Sequence, residues 1–262
     1  DMGLAKEIIK MCYQFGCDYV KFQKRTPEIC VPDDQKEKMR STPWGEMKYI
    51  DYKKKIELGS VQYNEIDRFC KDIGIKWFAS VWDKPSVDFM SNYKQIDGSV
   101  IMKIPSAKIT DLELCRYARQ NCDKLLISTG MSTEKQIDEC INACNPDVIF
   151  HTNSTYPCPV EELNLNRIPY MKKKYPDKSI GYSGHEYSLP SSYAAVALGS
   201  EWIERHVTID RHLWGSDQSC SIEPVGVFKL VKGIRAVEAS LGKGGERSIY
   251  PGEMKKLKSL RG

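Results

Sequence analysis

Short runs of β-branched and aromatic residues alternate with longer amphipathic stretches along almost the whole chain. The short runs have the length and composition of buried strands, whereas the longer stretches place apolar residues at helical spacing. In residues 133–144, for example, Ile137, Cys140, Ile141 and Cys144 form one apolar stripe. The pattern predicts eight helices and seven strands, with the strands at residues 18–23, 76–80, 99–104, 125–128, 148–152, 180–183 and 202–207.

This regular alternation predicts an α/β fold in which crossover helices connect parallel strands. The chain has 262 residues, and about 250 residues are typical of one (β/α)8 TIM barrel. Such a barrel has eight strands. Because the chain opens on a predicted helix at residues 4–13 and without an initiator Met, we expect the first strand to lie upstream of Asp1. An open seven-stranded sheet is the alternative.

Two segments depart from the simple alternation. Residues 36–59 form an insertion after the first predicted strand, and the pattern within it indicates an extra helix at 46–58. A glycine-rich run ends the last helix of the barrel. Residues 1–245 are therefore predicted to form the barrel domain, and residues 246–262 a basic linker towards a further domain.

Capping boxes mark two of the helix starts. Thr133 with Gln136, and Thr110 with Glu113, have the spacing at which a hydroxyl and a longer polar side chain each bond the other's backbone N–H. We therefore expect one helix to begin directly after each threonine.

Composition narrows the classes of function. Hydrophobic residues make up 41% and charged residues 28% of the chain, so a sizeable core and a soluble protein are both expected. The net charge of +4 is small for this length and indicates neither a nucleic-acid nor a membrane partner, although it suits an anionic substrate. No apolar run reaches the length of a membrane-spanning helix.

The ten cysteines raise the question of disulfide bonds. Cys12, Cys70, Cys115, Cys140 and Cys144 occupy apolar positions at helical spacing, where a thiol acts as a small hydrophobe. The chain has no Cys-x-x-Cys pair, which argues against a zinc or thioredoxin-like site. Reduced thiols and a cytoplasmic location are therefore predicted.

Polar residues follow the predicted strands at the carboxyl ends, where barrel enzymes have their active sites. In chain order they are Lys21 with Gln23, Ser80, Lys103 with Ser106, Ser128, His151 with Ser154 and Tyr156, Ser183 with His185, and Glu204 with Arg205 and His206. Ammonium and hydroxyl donors suit phosphate and carboxylate groups. Two neutral imidazoles with open coordination positions suit Mn, Fe, Co or Zn.

The charged residues within strands are the stronger candidates for function. A buried lysine is rare unless it is paired, so we interpret Lys21 and Lys103 as functional. Glu204 and Arg205 are consecutive in a strand, and one of them is expected to point inward and the other towards the helices. Each serine at a strand end is equally consistent with a simple cap.

The four histidines divide into two groups. His185 and His206 end consecutive predicted strands, which are neighbours in a barrel. A metal-binding pair and a pair without a metal ion are equally consistent with these positions. His151 is interpreted as a hydrogen-bonded histidine of the core or rim. His212 lies among charged residues and is expected to face solvent.

Seven short motifs follow one another along nearly the whole chain. They are Val20-Lys21-Phe22-Gln23, Lys103-Ile104-x-Ser106, Ser128-Thr129-Gly130-Met131, Gly181-Tyr182-Ser183-Gly184-His185, Glu204-Arg205-His206-Val207-Thr208, Trp214-Gly215-Ser216-Asp217 and Ser221-Ile222-Glu223-Pro224. In this order they resemble the sialic acid synthase family, which includes N-acetylneuraminate, legionaminic acid and pseudaminic acid synthases. One motif alone is a weak signal, whereas seven in series are specific.

The resemblance implies a role for each candidate residue. His185 and His206 would bind Mn²⁺ or Mg²⁺, and Glu204 would be an acid/base or water-orienting group. Phosphoenolpyruvate would contact Lys21, Lys103, Ser106, Ser128, Ser154 and Ser183. The amino sugar would face Gln23, Tyr156 and Asp217.

The resemblance also implies a reaction. Phosphoenolpyruvate would condense with an N-acetylated amino sugar, such as N-acetylmannosamine or a 2,4-diacetamido sugar, and phosphate would leave. A homodimer is implied as well, with a first-strand Glu-x-Gly-x-Asn-His-x-Gly motif and a C-terminal antifreeze-like domain beyond the present chain. Lys108 departs from the family, because some members have a sugar-binding glutamate there.

Two other functions remain open. A keto-deoxy sugar phosphate synthase would share the barrel and the chemistry, but it would need extra arginines for a second phosphate. Arg25, Arg205 and Arg211 are the arginines near the predicted mouth. A catalytically silent scaffold barrel would need no metal ion.

Overall fold

All seven predicted strands are present in the computed structural model, which describes residues 1–261, and each end lies within two residues of its predicted position. Two further short strands occur in the insertion. The strands are β1 (Tyr19–Lys24), β2 (Met39–Thr42), β3 (Gly45–Lys48), β4 (Lys76–Val81), β5 (Ile101–Ile104), β6 (Lys124–Ser128), β7 (Val148–Thr152), β8 (Ser179–Gly184) and β9 (Trp202–Arg205).

Helices separate the strands of the main sheet. They are α1 (Met2–Gln14), α2 (Pro27–Cys30), α3 (Asp33–Lys36), α4 (Tyr49–Ile56), α5 (Ser60–Ile73), α6 (Lys84–Met90), α7 (Leu112–Gln120), α8 (Glu134–Cys144), α9 (Arg167–Lys174), α10 (Pro190–Ala197), α11 (Pro224–Leu241) and α12 (Pro251–Arg261). None of the helices within residues 1–261 is long and apolar enough to cross a membrane.

The main sheet has seven parallel strands in the order β1-β4-β5-β6-β7-β8-β9. Its register places residues from neighbouring strands at the same level. Gln23 pairs with Ser80, which in turn pairs with Lys103, and Ser183 pairs with Glu204. Candidate residues from distant parts of the chain therefore lie near one end of the sheet.

The sheet curls so that its two edge strands approach each other. The rings of Tyr19 on β1 and Trp202 on β9 stack with their centroids 5.2 Å apart, and Lys21 bonds Glu204 across the same gap. The predicted TIM-barrel class of α/β fold is thereby confirmed. Within residues 1–261 the sheet pairing does not join β1 to β9, and a cavity of about 1050 Å³ lies between them, lined by both strands, α1 and α11.

An apolar layer fills the inside of the curled sheet beneath the polar strand ends. Phe78, Ile101, Leu126, Val148 and Phe150 form this buried cluster. Because side chains alternate between the faces of a strand, the inward face that carries Ile101 also carries Lys103. The same alternation makes Tyr19, Lys21 and Gln23 share one face. A larger apolar cluster lies between the outer face of the sheet and the helices.

The insertion differs in part from the prediction. Its helix is present as α4, but β2 and β3 form an antiparallel hairpin that the pattern did not predict. Both strands have four residues and are largely exposed. They therefore lack the alternation of buried and exposed positions from which strands are predicted.

The two predicted helix caps have different outcomes. At α8 the capping box is confirmed, because the backbone N–H of Thr133 donates to Gln136 and the backbone N–H of Gln136 donates to Thr133. At α7 the predicted box at Thr110 is wrong. The cap is Asp111, whose carboxylate accepts a hydrogen bond from the backbone N–H of Leu114 at 3.0 Å.

The predicted linker is largely helical in the structure. Residues 251–261 of the segment 246–262 form α12, which follows a non-helical stretch after α11. Gly262 lies outside the described residues. The proposed division into a barrel domain at 1–245 and a linker stays a prediction.

Candidate functional site

At the polar end of the sheet, a single carboxylate oxygen on one strand accepts hydrogen bonds from side chains on three other strands. Glu204 Oε1 on β9 accepts hydrogen bonds from Lys21 Nζ at 2.7 Å, Lys103 Nζ at 2.6 Å and Ser183 Oγ at 3.0 Å. Lys103 is 2% exposed, and its ammonium group lies 4.3 Å from the centroid of the Phe150 ring. Both lysines therefore lie at one mouth and share one carboxylate, and the functional role that the sequence indicated for them stays a prediction.

Burial and mutual charge set the protonation of this cluster. Burial lowers the pKa of Lys103 to about 7, and the charge of Lys21 adds to this effect while Glu204 opposes it. Burial alone would raise the pKa of Glu204, but the charges and hydrogen bonds of Lys103 and Lys21 hold it below its ordinary value. At neutral pH the carboxylate is therefore ionised, and Lys103 is the group closest to exchanging a proton.

Two imidazoles lie beside the lysine cluster. The ring centroids of His185, which follows β8, and His206, which follows β9, are 5.2 Å apart. Burial lowers the pKa of both: that of His206 falls to about 4, with the charges of Lys21 and His185 contributing, whereas a hydrogen bond to Asn153 partly opposes the effect at His185. Both rings are therefore neutral at pH 7 and keep a nitrogen lone pair that can bind a metal ion.

The surroundings of His185 fix which nitrogen is free. Its Nδ1 lies 2.6 Å from the Asn153 carbonyl oxygen, which can only accept a hydrogen bond, so Nδ1 carries the proton. Nε2 then has the lone pair, as in metal sites where a carbonyl orients the histidine ligand. The Tyr156 ring packs against the imidazole, with centroids 4.1 Å apart.

These residues fit a metal ion that keeps open coordination positions. His206 Nδ1 lies 3.5 Å from Asp217 Oδ2, so a carboxylate is also near. Within residues 1–261, however, His185 and His206 do not belong to any set of three histidine, cysteine or carboxylate ligand atoms within 4.8 Å of one another. The protein thus offers two nitrogen ligands, and further positions would be left to water or substrate oxygens.

A second polar cluster surrounds Gly130, just after β6. Its backbone N–H donates to Ser106 Oγ at 3.1 Å. A Cβ at residue 130 would lie 2.2 Å from Ser154 Oγ and 2.9 Å from Ser106 Oγ. The two hydroxyls and the backbone of residues 128–130 therefore converge in a space that admits only glycine. Ser128 itself is buried at the end of β6.

The predicted sugar-facing residues line the same mouth. Gln23 ends the inward face of β1 and accepts a hydrogen bond from the Arg25 side chain. Tyr156 covers His185, and Asp217 is the carboxylate next to His206. The sugar-binding roles of these three residues stay predictions.

Arg205 and His151, near the strand ends, have structural partners, whereas His212 lies on the surface. Arg205 points away from Glu204 and forms a buried ion pair with Glu186 at 3.1 Å, as the alternation predicted. His151 Nε2 lies 2.7 Å from the Leu163 carbonyl oxygen, in agreement with a core histidine. His212 faces solvent, with 95% of its side chain exposed.

Sequence reasoning missed two contributors to the site. Gly130 was quoted within a motif but not as a site residue, although its lack of a side chain makes room for two hydroxyls. Asn153 acts through its backbone carbonyl on His185. A glycine two residues after a strand-end serine is a usable signal for the first, whereas a backbone contact leaves no trace in residue type.

Several known proteins are similar to this chain over most of its length. It is 34% identical to N-acetylneuraminate-9-phosphate synthase from Homo sapiens, over 97% of this chain and 71% of that protein. It is 30% identical to N,N'-diacetyllegionaminic acid synthase from Campylobacter jejuni, over 93% of this chain and 74% of that protein.

Solved structures agree with the sequence comparison. The crystal structure of N-acetylneuraminic acid synthetase from Leptospira borgpetersenii, in complex with citrate, has a TM-score of 0.84 and 26% identity, over 100% of this chain and 88% of that one. The model of the family described as the NeuB family matches residues 8–246. The resemblance inferred from the seven motifs is therefore confirmed, and the chain belongs to the NeuB family.

Proposed function

We propose that this protein is a nonulosonic acid synthase that condenses phosphoenolpyruvate with an N-acetylated amino sugar and releases phosphate. N-acetylmannosamine, its phosphate and 2,4-diacetamido sugars are the candidate acceptors. One observation carries the proposal: two lysines that share the Glu204 carboxylate lie beside two neutral imidazoles at the mouth of the barrel. The similar proteins described above are synthases of this class of acid.

The lysine cluster suits an anion that carries both phosphate and carboxylate groups. Two ammonium groups share one carboxylate, so the cluster retains positive charge when Lys103 is protonated. A bound anion would raise the pKa of Lys103 from about 7 and keep its proton in place. Ser106, Ser154 and the backbone around Gly130 add hydrogen-bond donors for the remaining oxygens.

In the proposed reaction C3 of phosphoenolpyruvate attacks the aldehyde carbon of the open-chain sugar, water adds at C2, and phosphate leaves by C–O cleavage. A bound Mn²⁺ or Mg²⁺ would act as a Lewis acid on the aldehyde oxygen. His185 and His206 would hold that ion through neutral nitrogens. The rigid strand ends would hold the two reacting carbons together, which is the main gain from positioning.

The geometry favours an orienting role for Glu204. Its pKa is held below the ordinary value, so at neutral pH it has no proton to donate as a general acid. Its Oε1 instead fixes both lysines and Ser183. Lys103, with a pKa near 7, is better matched to proton transfer in the neutral range.

The arginines near the mouth do not favour a second phosphate site. Arg205 is buried against Glu186. The Arg211 Nε donates to the Ser221 carbonyl at 2.7 Å. Arg25 stacks over the Trp82 ring, with its guanidinium carbon 4.7 Å from the centroid. We therefore prefer the nonulosonic acid synthase to a keto-deoxy sugar phosphate synthase.

The experiment that tests the proposal measures phosphate released from phosphoenolpyruvate with each candidate sugar, in Mn²⁺ and in chelator. We expect release that requires both one sugar and the metal ion. Lys103→Gln should abolish it, whereas the matched strand variant Lys76→Gln, whose partner Asp97 lies at the opposite end of the sheet, should not. A folded protein that releases no phosphate with any sugar and binds no Mn²⁺ would contradict the proposal and support the catalytically silent scaffold instead.

A further inference from the structure

Three thiols converge between two helices on the outside of the barrel, away from the strand-end site. Cys115 lies on α7, and Cys140 and Cys144 lie one turn apart on α8. The Cys140 Sγ is 3.7 Å from the Cys115 Sγ and 3.8 Å from the Cys144 Sγ. All three sulfurs lie within 4.8 Å of one another.

This spacing matches a set of sulfur ligands around one ion. Sulfurs bound about 2.3 Å from a metal are about 3.8 to 4.0 Å apart in tetrahedral or trigonal coordination. Two of the three distances, at 3.7 and 3.8 Å, agree with that geometry, and the third, between Cys115 Sγ and Cys144 Sγ, lies within 4.8 Å. Within residues 1–261 it is also the one set of three potential ligand atoms that lie this close together.

The arrangement is poorly suited to a structural disulfide. Because there are three thiols, one of them remains unpaired whichever two combine, and two of them lie four residues apart on the same helix. The thiols are also fully reduced and closed off from solvent, with 0% exposure at Cys115 and Cys140 and 2% at Cys144. A metal site that uses all three sulfurs leaves none of these three thiols without a partner.

Two cations lie near the sulfurs. Arg119 and Lys178 are close enough for their positive charges to act on Cys144. Metal binding requires thiolates, and these cations would offset the net negative charge of three thiolates around a metal ion.

We propose that Cys115, Cys140 and Cys144 form a three-sulfur site for a soft, thiophilic d10 metal ion, of which Cu(I) is the biological example. An all-sulfur set without nitrogen or oxygen ligands selects soft ions over Mn²⁺ or Mg²⁺, so this site is chemically distinct from the histidine pair at the strand ends. Binding releases the remaining S–H protons to solvent and clamps α7 to α8. The ion would act on stability rather than on the reaction.

Cd²⁺ is the probe for the test, because bonds from thiolate to Cd²⁺ give an ultraviolet charge-transfer band that histidine and carboxylate ligands do not give. The reduced full chain is titrated without oxygen, both in the native state and during refolding, since the thiols are buried. We expect a sulfur band that saturates at one ion per chain and a higher unfolding temperature when the ion is bound. Cu(I), titrated against a Cu(I) chelator, should compete with Cd²⁺ for the same site.

Variants assign the band to these three residues. Cys140→Ala removes the central sulfur and should weaken Cd²⁺ binding by more than about tenfold. The matched control is Cys70→Ala, which removes an equally buried thiol from α5 and should leave binding unchanged. Cys144→Ser gives a second measurement should Cys140→Ala fail to fold, which circular dichroism would show.

Three outcomes would overturn the proposal. One is the absence of a sulfur band in a folded, fully reduced protein, and another is a band that persists in both Cys140→Ala and Cys144→Ser. The third is an equal loss of binding in Cys70→Ala. A disulfide between Cys115 and Cys140, found by mass spectrometry in protein that still binds no Cd²⁺ after reduction, would indicate an oxidation-sensitive pair instead of a metal site.

Discussion

Replacing Glu204 by Gln removes the charge that Lys21 and Lys103 share while keeping the size of the side chain. In the wild-type protein both ammonium groups bond the same oxygen, at 2.7 and 2.6 Å. In the variant they face each other without a carboxylate between them. Removing one partner of a buried ion pair costs about 3–5 kcal/mol of unfolding free energy. We expect the lower end of that range, because Lys103 can lose its proton.

The size of the loss should depend on pH, and the sign follows from Lys103. Its pKa in the folded protein is about 7, below the ordinary value of 10.5. Between these values the unfolded chain holds a proton that the folded chain does not, so this group makes stability rise with pH across that window. Without Glu204 the pKa of Lys103 falls further, so the rise of stability with pH begins at a lower pH.

The variant and the wild-type protein should therefore differ most in acid. Near pH 6 the wild-type Lys103 is charged and paired, whereas in the variant it is either charged without a partner or neutral. Near pH 9 it is neutral in both proteins. Each tenfold change in proton affinity corresponds to about 1.4 kcal/mol, so we expect the loss of stability to be larger by about that amount at about pH 6 than at about pH 9.

Urea denaturation at both pH values, followed by circular dichroism, measures this difference. Glu201→Gln is the matched control, because Glu201 pairs with Lys172 on the surface, with side chains 49% and 40% exposed. Such an exposed pair is worth about 0–1 kcal/mol, so the control should show a small loss that varies little with pH. An equal loss for Glu204→Gln at both pH values would refute the coupling to Lys103.

Three further predictions follow from single contacts. Gly130→Ala should raise the KM for phosphoenolpyruvate by at least about tenfold in the phosphate-release assay, because its Cβ would meet Ser154 Oγ at 2.2 Å and a misplaced binding group is costly. His185→Ala should weaken Mn²⁺ binding by more than about tenfold in calorimetric titration, whereas His212→Ala, which alters an exposed ring, should not. Arg205→Met should lower the unfolding free energy by about 3–5 kcal/mol in urea, since it leaves the buried carboxylate partner unpaired.

The strands of the sheet could be predicted because burial leaves a clear pattern in them. Strands such as β6 and β7 are five residues long, contain three consecutive apolar residues each and are buried at nearly every position. The hairpin of β2 and β3 is held by backbone pairing on an exposed surface. Its side chains need not be apolar, so periodicity carries no information about it.

The helix caps show a similar limit at the scale of one residue. Thr110 and Asp111 are both good N-cap residues and stand next to each other. Which of them caps α7 depends on the backbone conformation that enters the helix, and that conformation is set by the packing of the preceding loop. The sequence therefore predicted the helix correctly but placed its cap one residue early.

The partners of the site residues were harder to predict than their location. The rule that barrel active sites lie at the carboxyl ends of strands was enough to gather Lys21, Lys103 and Glu204 at one mouth. The bonds among them join residues 183 and 101 positions apart in the chain. They exist only because the sheet curls until β1 faces β9.

The protonation of the site could not be predicted from sequence, and it decides what the site can do. A lysine, a glutamate and two histidines have ordinary pKa values that would make Lys103 a fixed cation and leave His206 partly charged near neutral pH. Burial reverses both expectations, because it lowers the pKa of Lys103 to about 7 and that of His206 to about 4. The same desolvation brings one residue close to exchanging a proton and keeps the other neutral, which the proposed metal site requires, so both properties arise from how deeply the strand ends are enclosed.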